Sequence, residues 1–236
     1  MTSHTVPEAF AAAAARLTRG NDAAGSLLAL LRDCAWLMDA DAVGILIVST
    51  EERLELLSST SHTATVLELY ELQNGRGPCV EAVRTNAVIS AAMPELIDRW
   101  VPVGPALVDA GYRAVQAFPL RWQDQAVGAL NVFNRRVRPL DSDHEQLGQA
   151  FANMAVAVLA QPSDPSWTSV QERVARILTE RVAIEQAKGV LAVQNNIGVA
   201  DAFIQLVESA ERRGVPLSDQ AADVLASVYR SDPASS

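Results

Sequence analysis

Along residues 22–40, apolar side chains recur at Leu27, Leu28, Leu31, Ala35 and Met38, a spacing that lines one side of an α-helix. The period then changes. Residues 42–49 form a short, continuous apolar run that reads as a buried strand, with residues 54–58 as its hairpin partner across Thr50-Glu51-Glu52-Arg53. Residues 63–73 and 78–85 read as helices, the second opening at Pro78 in the first turn, where a missing N–H costs nothing. A short strand over 87–90 and a short helix over 105–110, ended by Gly111, lead into two strong strands, 114–121 and 126–133. The polar turn Trp122-Gln123-Asp124-Gln125 joins those strands. A helix over 142–160, with Leu147, Phe151, Met154, Ala155 and Val158 on one face, closes this part of the chain. Five strands between flanking helices predict an antiparallel sheet with helices packed on one side. Ahead of it, residues 1–21 read as an arm or first helix, with five consecutive alanines inside residues 7–19.

The segment Gln161-Pro162-Ser163-Asp164-Pro165-Ser166 breaks any helix and marks a linker or hinge over 161–168. Beyond it the pattern is wholly helical. Over 170–194, Val170, Ile177, Ile184 and Leu191 recur every seven residues, with Val174, Arg181 and Lys188 at the matching second seam position. Val170, Val174, Ile177 and Leu178 are therefore the expected dimerisation residues of a coiled-coil extension, while the later seam carries charge. Val199, Ala202, Phe203, Leu206 and Ala210 line a second helix. Leu217, Ala221, Val224, Leu225 and Val228 line a third, after the turn Gly214-Val215-Pro216. The expected fold class is α+β: a sheet domain over 22–160 and an all-α three-helix bundle over 169–230, with 231–236 a disordered tail.

Three phrases in the first domain resemble a GAF domain: Gly75-Arg76-Gly77-Pro78-Cys79-Val80-Glu81-Ala82, then Gly111-Tyr112-Arg113-Ala114, then Pro119-Leu120 followed by Gly128-Ala129-Leu130-Asn131-Val132-Phe133. The resemblance covers residues 22–160. It implies a sensory pocket on one face of the sheet, often for a small molecule, or a dimerisation module. Cys79, Trp100, Arg113, Phe118 and Asn131 are the candidate lining of such a pocket, with core packing the alternative for Trp100 and a structural thiol for Cys79.

The helical part resembles an ANTAR domain over 170–230. The resemblance rests on Ile184-Glu185-Gln186-Ala187-Lys188-Gly189-Val190-Leu191, Ala202-Phe203-Ile204-Gln205-Leu206 and Leu217-Ser218-Asp219-Gln220-Ala221-Ala222-Asp223-Val224. It implies binding of RNA hairpin loops and control of transcription antitermination. On that reading Arg181, Gln186, Lys188, Gly189, Arg212 and Arg213 face RNA. Lys188, the only lysine, is equally spaced to pair with Glu185, and the arginines can be plain solvated charges. Gly189 costs about 1 kcal/mol inside a helix relative to alanine, so either RNA or the following helix must approach it closely. Val207 stands where the family usually places an arginine, which removes one cation from the expected RNA face.

Charge narrows these readings. The formal net charge is −9, which argues against broad non-specific binding to nucleic acid. Residues 166–236 hold seven basic against nine acidic side chains, net −2, and the remainder 12 against 19, net −7, so any RNA site is a local patch. Apolar runs are too short to span a bilayer, and the N-terminus has no signal-peptide pattern, so a cytoplasmic protein is expected. Two cysteines, Cys34 and Cys79, and three scattered histidines suggest neither a disulfide framework nor a metal site, and no cofactor is expected. There is no phosphate loop or nucleophile elbow, so no enzyme is expected; a cysteine-dependent sulfoxide reductase on a GAF fold is the remote exception. No receiver-like segment is present to make phosphorylation the switch. The expected function is a cytoplasmic, homodimeric sensor-regulator that binds RNA hairpins. The alternative is a dimeric scaffold that binds protein and has lost RNA affinity.

Overall fold

Continuous apolar runs along the central strands leave both faces of the sheet apolar, so both must be covered. In the computed structural model, which describes residues 5–19, 22–137, 141–160 and 166–231, five strands form one antiparallel sheet in the order β2-β1-β5-β4-β3. They are β1 (Ala42–Val48), β2 (Leu54–Ser59), β3 (Ile89–Ala92), β4 (Ala114–Trp122) and β5 (Gln125–Asn134). The β4–β5 turn places Gln123 and Asp124 at φ 46° and 66°, the twist that suits a two-residue hairpin.

One face, carrying Val43, Ile45, Phe118, Leu120 and Leu130, is covered by α1 (Val6–Arg19), α2 (Ala23–Leu37), α7 (Ser142–Leu159) and the first half of α8 (Trp167–Asn195). The other, carrying Leu46, Val115, Ala117, Ala129 and Phe133, is covered by α3 (His62–Asn74), α4 (Pro78–Thr85), α5 (Glu95–Arg99) and α6 (Val103–Asp109). The expectation of helices on one side is thus corrected to helices on both. The reason is visible in β1, where Val43 and Ile45 bury on one face while Ala42 and Leu46 bury on the other. Two local expectations also shift. The third strand runs Ile89–Ala92 rather than 87–90, and α5 was not foreseen, because five residues are too few to show a period.

The N-terminal segment is a helix that docks: Phe10 stacks on Phe151 of α7 with ring centroids 5.2 Å apart. Residues 1–4, 20–21 and 232–236 of the expected arm and tail lie outside the described residues, as do 161–165 of the expected hinge. At the far end of that hinge, Ser166 caps α8 by accepting from the Ser169 N–H, so the helix starts at Trp167.

The second half of α8 packs with α9 (Val199–Arg213) and α10 (Leu217–Ser231) as the expected three-helix bundle. Asn196 and Gly214, both left-handed, end α8 and α9. The bundle core contains Ile184, Ala187, Leu206, Val207, Leu217 and Ala221, and one side chain from the sheet domain, Leu28 of α2, completes it. The bundle therefore rests on the sheet domain, with α8 against β2, α2 and α7, α10 against α2, and α9 against α3. Arg32 of α2 adds an ion pair of 2.7 Å to Glu211 of α9. Both partners are more than half exposed, so this pair contributes little stability.

Candidate functional site

The motif helix α8 is split between two environments. Gln186 and Gly189 lie on its exposed side, and a Cβ added at Gly189 would meet nothing within 4 Å. The following helix therefore does not need that glycine, which leaves its helix-propensity cost of about 1 kcal/mol without an intrachain purpose. Lys188, one residue earlier, turns inward. It is 2% exposed, its Nζ donates to both carboxylate oxygens of Glu185 at 2.8 and 2.7 Å, and it lies 5.0 Å from the centroid of the Phe203 ring. The expected RNA contact is thus, in this arrangement, the Glu185 pair that the spacing equally allowed. A lysine so placed is stable because its charge is neutralised by hydrogen-bonded carboxylate and its stem is packed on an aromatic ring.

The cationic residues do not converge. Arg212 is two-thirds exposed, 3.7 Å from Glu208. Arg213 pairs with Asp223 at 2.8 Å and bonds Gln220, tying α9 to α10. Arg181 faces a cleft between the two domains. The residues expected to dimerise are covered within the chain. Val170, Val174 and Ile177 are each 1% exposed within the chain's own sheet-domain core, and Leu178 packs beside them. Within the single chain, α2 and α7 pack against the stripe expected to form the coiled-coil seam. Val207 is 9% exposed in the core that Leu28 completes. An arginine there would bury an unpaired charge, which gives the departure from the expected arginine a physical cause.

The expected sensory pocket is likewise dispersed. Phe118 lies on the opposite sheet face from Cys79, Trp100 and Asn131, its ring against Gly148 of α7. Arg113 donates to the carbonyls of Val108 and Tyr112 at 2.8 and 3.0 Å, closing the end of α6. Trp100, 4% exposed, donates from Nε1 to Glu81 at 2.7 Å. Arg99 bonds the same carboxylate, which holds Glu81 below the usual carboxylate range. Both cysteines are fully buried, and burial pushes both thiols up, so neither is an activated thiolate.

What occupies the space behind Cys79 is a pair of acids that the sequence reading missed. Glu68 and Glu71 of α3 are 0% and 2% exposed. Asn131 Nδ2 donates to Glu68 Oε2 at 2.8 Å, and Val80 N–H donates to Glu71 Oε1 at 2.9 Å at the start of α4. Burial raises both carboxyls, Glu71 to about 8, and the proximity of Glu71 lifts Glu68 further. The signal was present: Ala64, Glu68 and Glu71 share one helix stripe, and Gly44 opposite leaves room that a Cβ, at 2.4 Å from Glu68 Oε1, would take. Gly77 makes the equivalent space for Glu71. Its φ is 153°, and a Cβ would lie 2.3 Å from the Glu71 carboxyl carbon. Gly77→Ala is expected to lower unfolding free energy by ~3 kcal/mol, measured by urea denaturation, since it combines backbone strain with a displaced buried acid.

Comparison with known proteins agrees with this geometry. A model of the GAF domain matches residues 11–160, and a model of the ANTAR domain matches residues 172–225. Among solved structures, the GAF domain of a phosphoenolpyruvate-protein phosphotransferase from Coxiella burnetii is similar at 14% identity and TM-score 0.52, covering 64% of this chain and 90% of that one. The GAF domain of the Acinetobacter phosphoenolpyruvate-protein phosphotransferase is similar at 13% identity and TM-score 0.50, covering 66% and 93%. At such identities the likeness shows the fold alone. No curated protein matches the sequence. Among the described residues no single helix is long and apolar enough to cross a membrane. With a two-faced antiparallel sheet over the first match and a three-helix bundle over the second, the chain belongs to the GAF domain family and carries an ANTAR domain behind it, two regulatory domains in the layout of a GAF-ANTAR regulator.

Proposed function

We propose that the chain is a cytoplasmic signal-responsive regulator that binds RNA hairpin loops to control transcription antitermination, and that the docked arrangement is its low-affinity state. The observation that carries this reading is the division of the motif helix: Gln186 and Gly189 face open space while Lys188 is held inside by Glu185 and Phe203. A small residue with nothing against it suits the close approach of a flat, unstacked base, and a glutamine beside it can read a base edge. Binding strength then depends on how often Lys188 and Arg181 are exposed, because a competent state populated at a fraction f weakens apparent affinity by that fraction. A signal acting on the GAF domain would set f by loosening the contact of α2 and α3 with α9 and α10. Active molecules would be homodimers, built on the Val170, Val174 and Ile177 stripe once it leaves its own core, so docking and dimerisation compete for one surface.

Crosslinking and sequencing of RNA bound in cells tests the reading; enrichment of paired hairpins is expected. Recovery of no RNA above the background of an uncrosslinked control would overturn it. A second reading is a protein-binding scaffold, favoured by the exposed apolar side chains Val193 at 83% and Ile204 at 55% on the helical domain. It predicts crosslinks to protein in place of RNA.

A further inference from the structure

Between the two domains lies a narrow cleft with about 40 Å³ of free volume, open to solvent on one side. One wall is the end of β2 and the start of α3, with Ser59, Ser61, His62 and Thr65; the other is α8, with Arg181, Glu185 and Lys188. Charge within it is unbalanced. Lys188 and Glu185 neutralise each other through two short contacts. Arg181 is partly buried and makes no hydrogen bond or ion pair with any described residue; Glu185 and Glu55 act on it only from beyond ion-pair distance. Burial holds its guanidinium below the usual range, against the opposing pull of Glu185 and Glu55. Across the cleft, His62 Nδ1 is buried with no hydrogen-bond partner among the described residues. Around it, α3 begins with Ser61 as N-cap, whose Oγ accepts from Ala64 N–H at 3.1 Å. Thr65 Oγ1 donates to the Ser61 carbonyl at 3.1 Å. The first N–H groups of this 13-residue helix lie at the same wall.

A guanidinium without an ion-pair partner, an imidazole nitrogen lacking a hydrogen bond and a hydroxyl-rich helix start on facing walls define one ligand chemistry. We propose that this cleft binds a small oxyanion, a carboxylate or phosphate, gripped by Arg181 from the helical domain and by His62 and the start of α3 from the GAF domain. The guanidinium fork matches two oxygens of such a group, and the helix start favours its negative charge. The small volume admits a single carboxylate or phosphate group rather than a macromolecule. Because the two walls belong to different domains, the ligand bonds only the docked form and stabilises it by mass action. The site requires the docked arrangement but not RNA binding, so the two claims fail separately.

Isothermal titration of the full chain with inorganic phosphate and, separately, with citrate at constant ionic strength tests the site and distinguishes the two sources of oxyanion. Saturable binding of one equivalent of either is expected. Arg181→Gln is expected to weaken it by about tenfold or more, and His62→Gln to weaken it several-fold, as loss of charge-assisted and neutral hydrogen bonds dictates. The exposed Arg53→Gln in the β1–β2 turn is expected to bind as the parent does. Two substitutions on different domains keep the test decisive if one disturbs folding, which far-ultraviolet circular dichroism reports. A non-saturating response common to the parent and all variants would overturn the proposal, as would parental affinity retained in both Arg181→Gln and His62→Gln.

Discussion

Leu28→Asp is expected to release the helical domain from the GAF domain and to raise affinity for a tandem-hairpin RNA roughly thirtyfold. Leu28 is 6% exposed, and it packs with Ile184, Leu206, Val207 and Leu217 of the helical domain rather than with Leu27, Leu30 and Leu31, which face the sheet. In an undocked molecule position 28 would meet water, so an aspartate there harms the docked state and spares the GAF core. Losing one buried leucine side chain removes about 2 kcal/mol, before any cost of placing a charge in an apolar site. While the docked form dominates, a shift of that size multiplies the competent fraction, and hence apparent affinity, by roughly thirty. Mobility shift at fixed salt measures the gain, and small-angle scattering measures the opening. An expanded molecule with unchanged RNA affinity would show that docking does not control binding. An unexpanded one would show that Leu28 does not hold the domains together.

Stability is expected to fall as pH rises from about 5 to about 8. Burial raises Glu68 and Glu71 in the folded chain, Glu71 from its ordinary 4.5 to about 8, so between those values the native state holds a proton that the unfolded chain has released. Where the native state binds more protons, unfolding free energy decreases with pH, by about 1.4 kcal/mol per pH unit for each proton. The contribution is full below the ordinary glutamate range and is lost as pH climbs through the folded value. Glu68→Gln removes one of the two charges at the like-charged site and keeps an acceptor for the Asn131 amide. It is expected to flatten the dependence and to leave the variant more stable than the parent at pH 8. Urea denaturation at pH 5, 6.5 and 8 decides the matter; a parent curve without slope would mean that both acids find solvation the static packing lacks.

Much of the architecture was legible because it rests on short-range periods. The heptad and 3.6-residue patterns located α8, α9 and α10, and the apolar runs over 114–121 and 126–133 with the polar turn between them located the hairpin in the sheet. The Ile184–Leu191 phrase identified the helix that carries the motif. The side chains of the site were less legible, since each depends on what packs against it. Phe118 and Asn131 are both strand residues, yet only pairing register shows that they sit on opposite faces. Lys188 had two admissible partners at one spacing, and only the position of Phe203 and the cleft walls selects Glu185. The apolar seam of Val170, Val174 and Ile177 likewise needs any complementary apolar surface, and local periodicity is blind to whether that surface is a second chain or the chain's own α2 and α7.

By itself, then, the sequence determined most of the elements, the family and the identity of the motif helix, all properties set by residues a few positions apart. Tertiary structure alone decided that the bundle docks on the GAF domain through Leu28, that the single lysine is sheltered while Gly189 stays open, and that Arg181 faces His62 across a cleft. The physical reason is that burial and charge pairing are set by groups distant in sequence. Leu28 and Val207, or His62 and Arg181, have no local relation that a period could express, and meet only when surfaces distant in sequence close on each other.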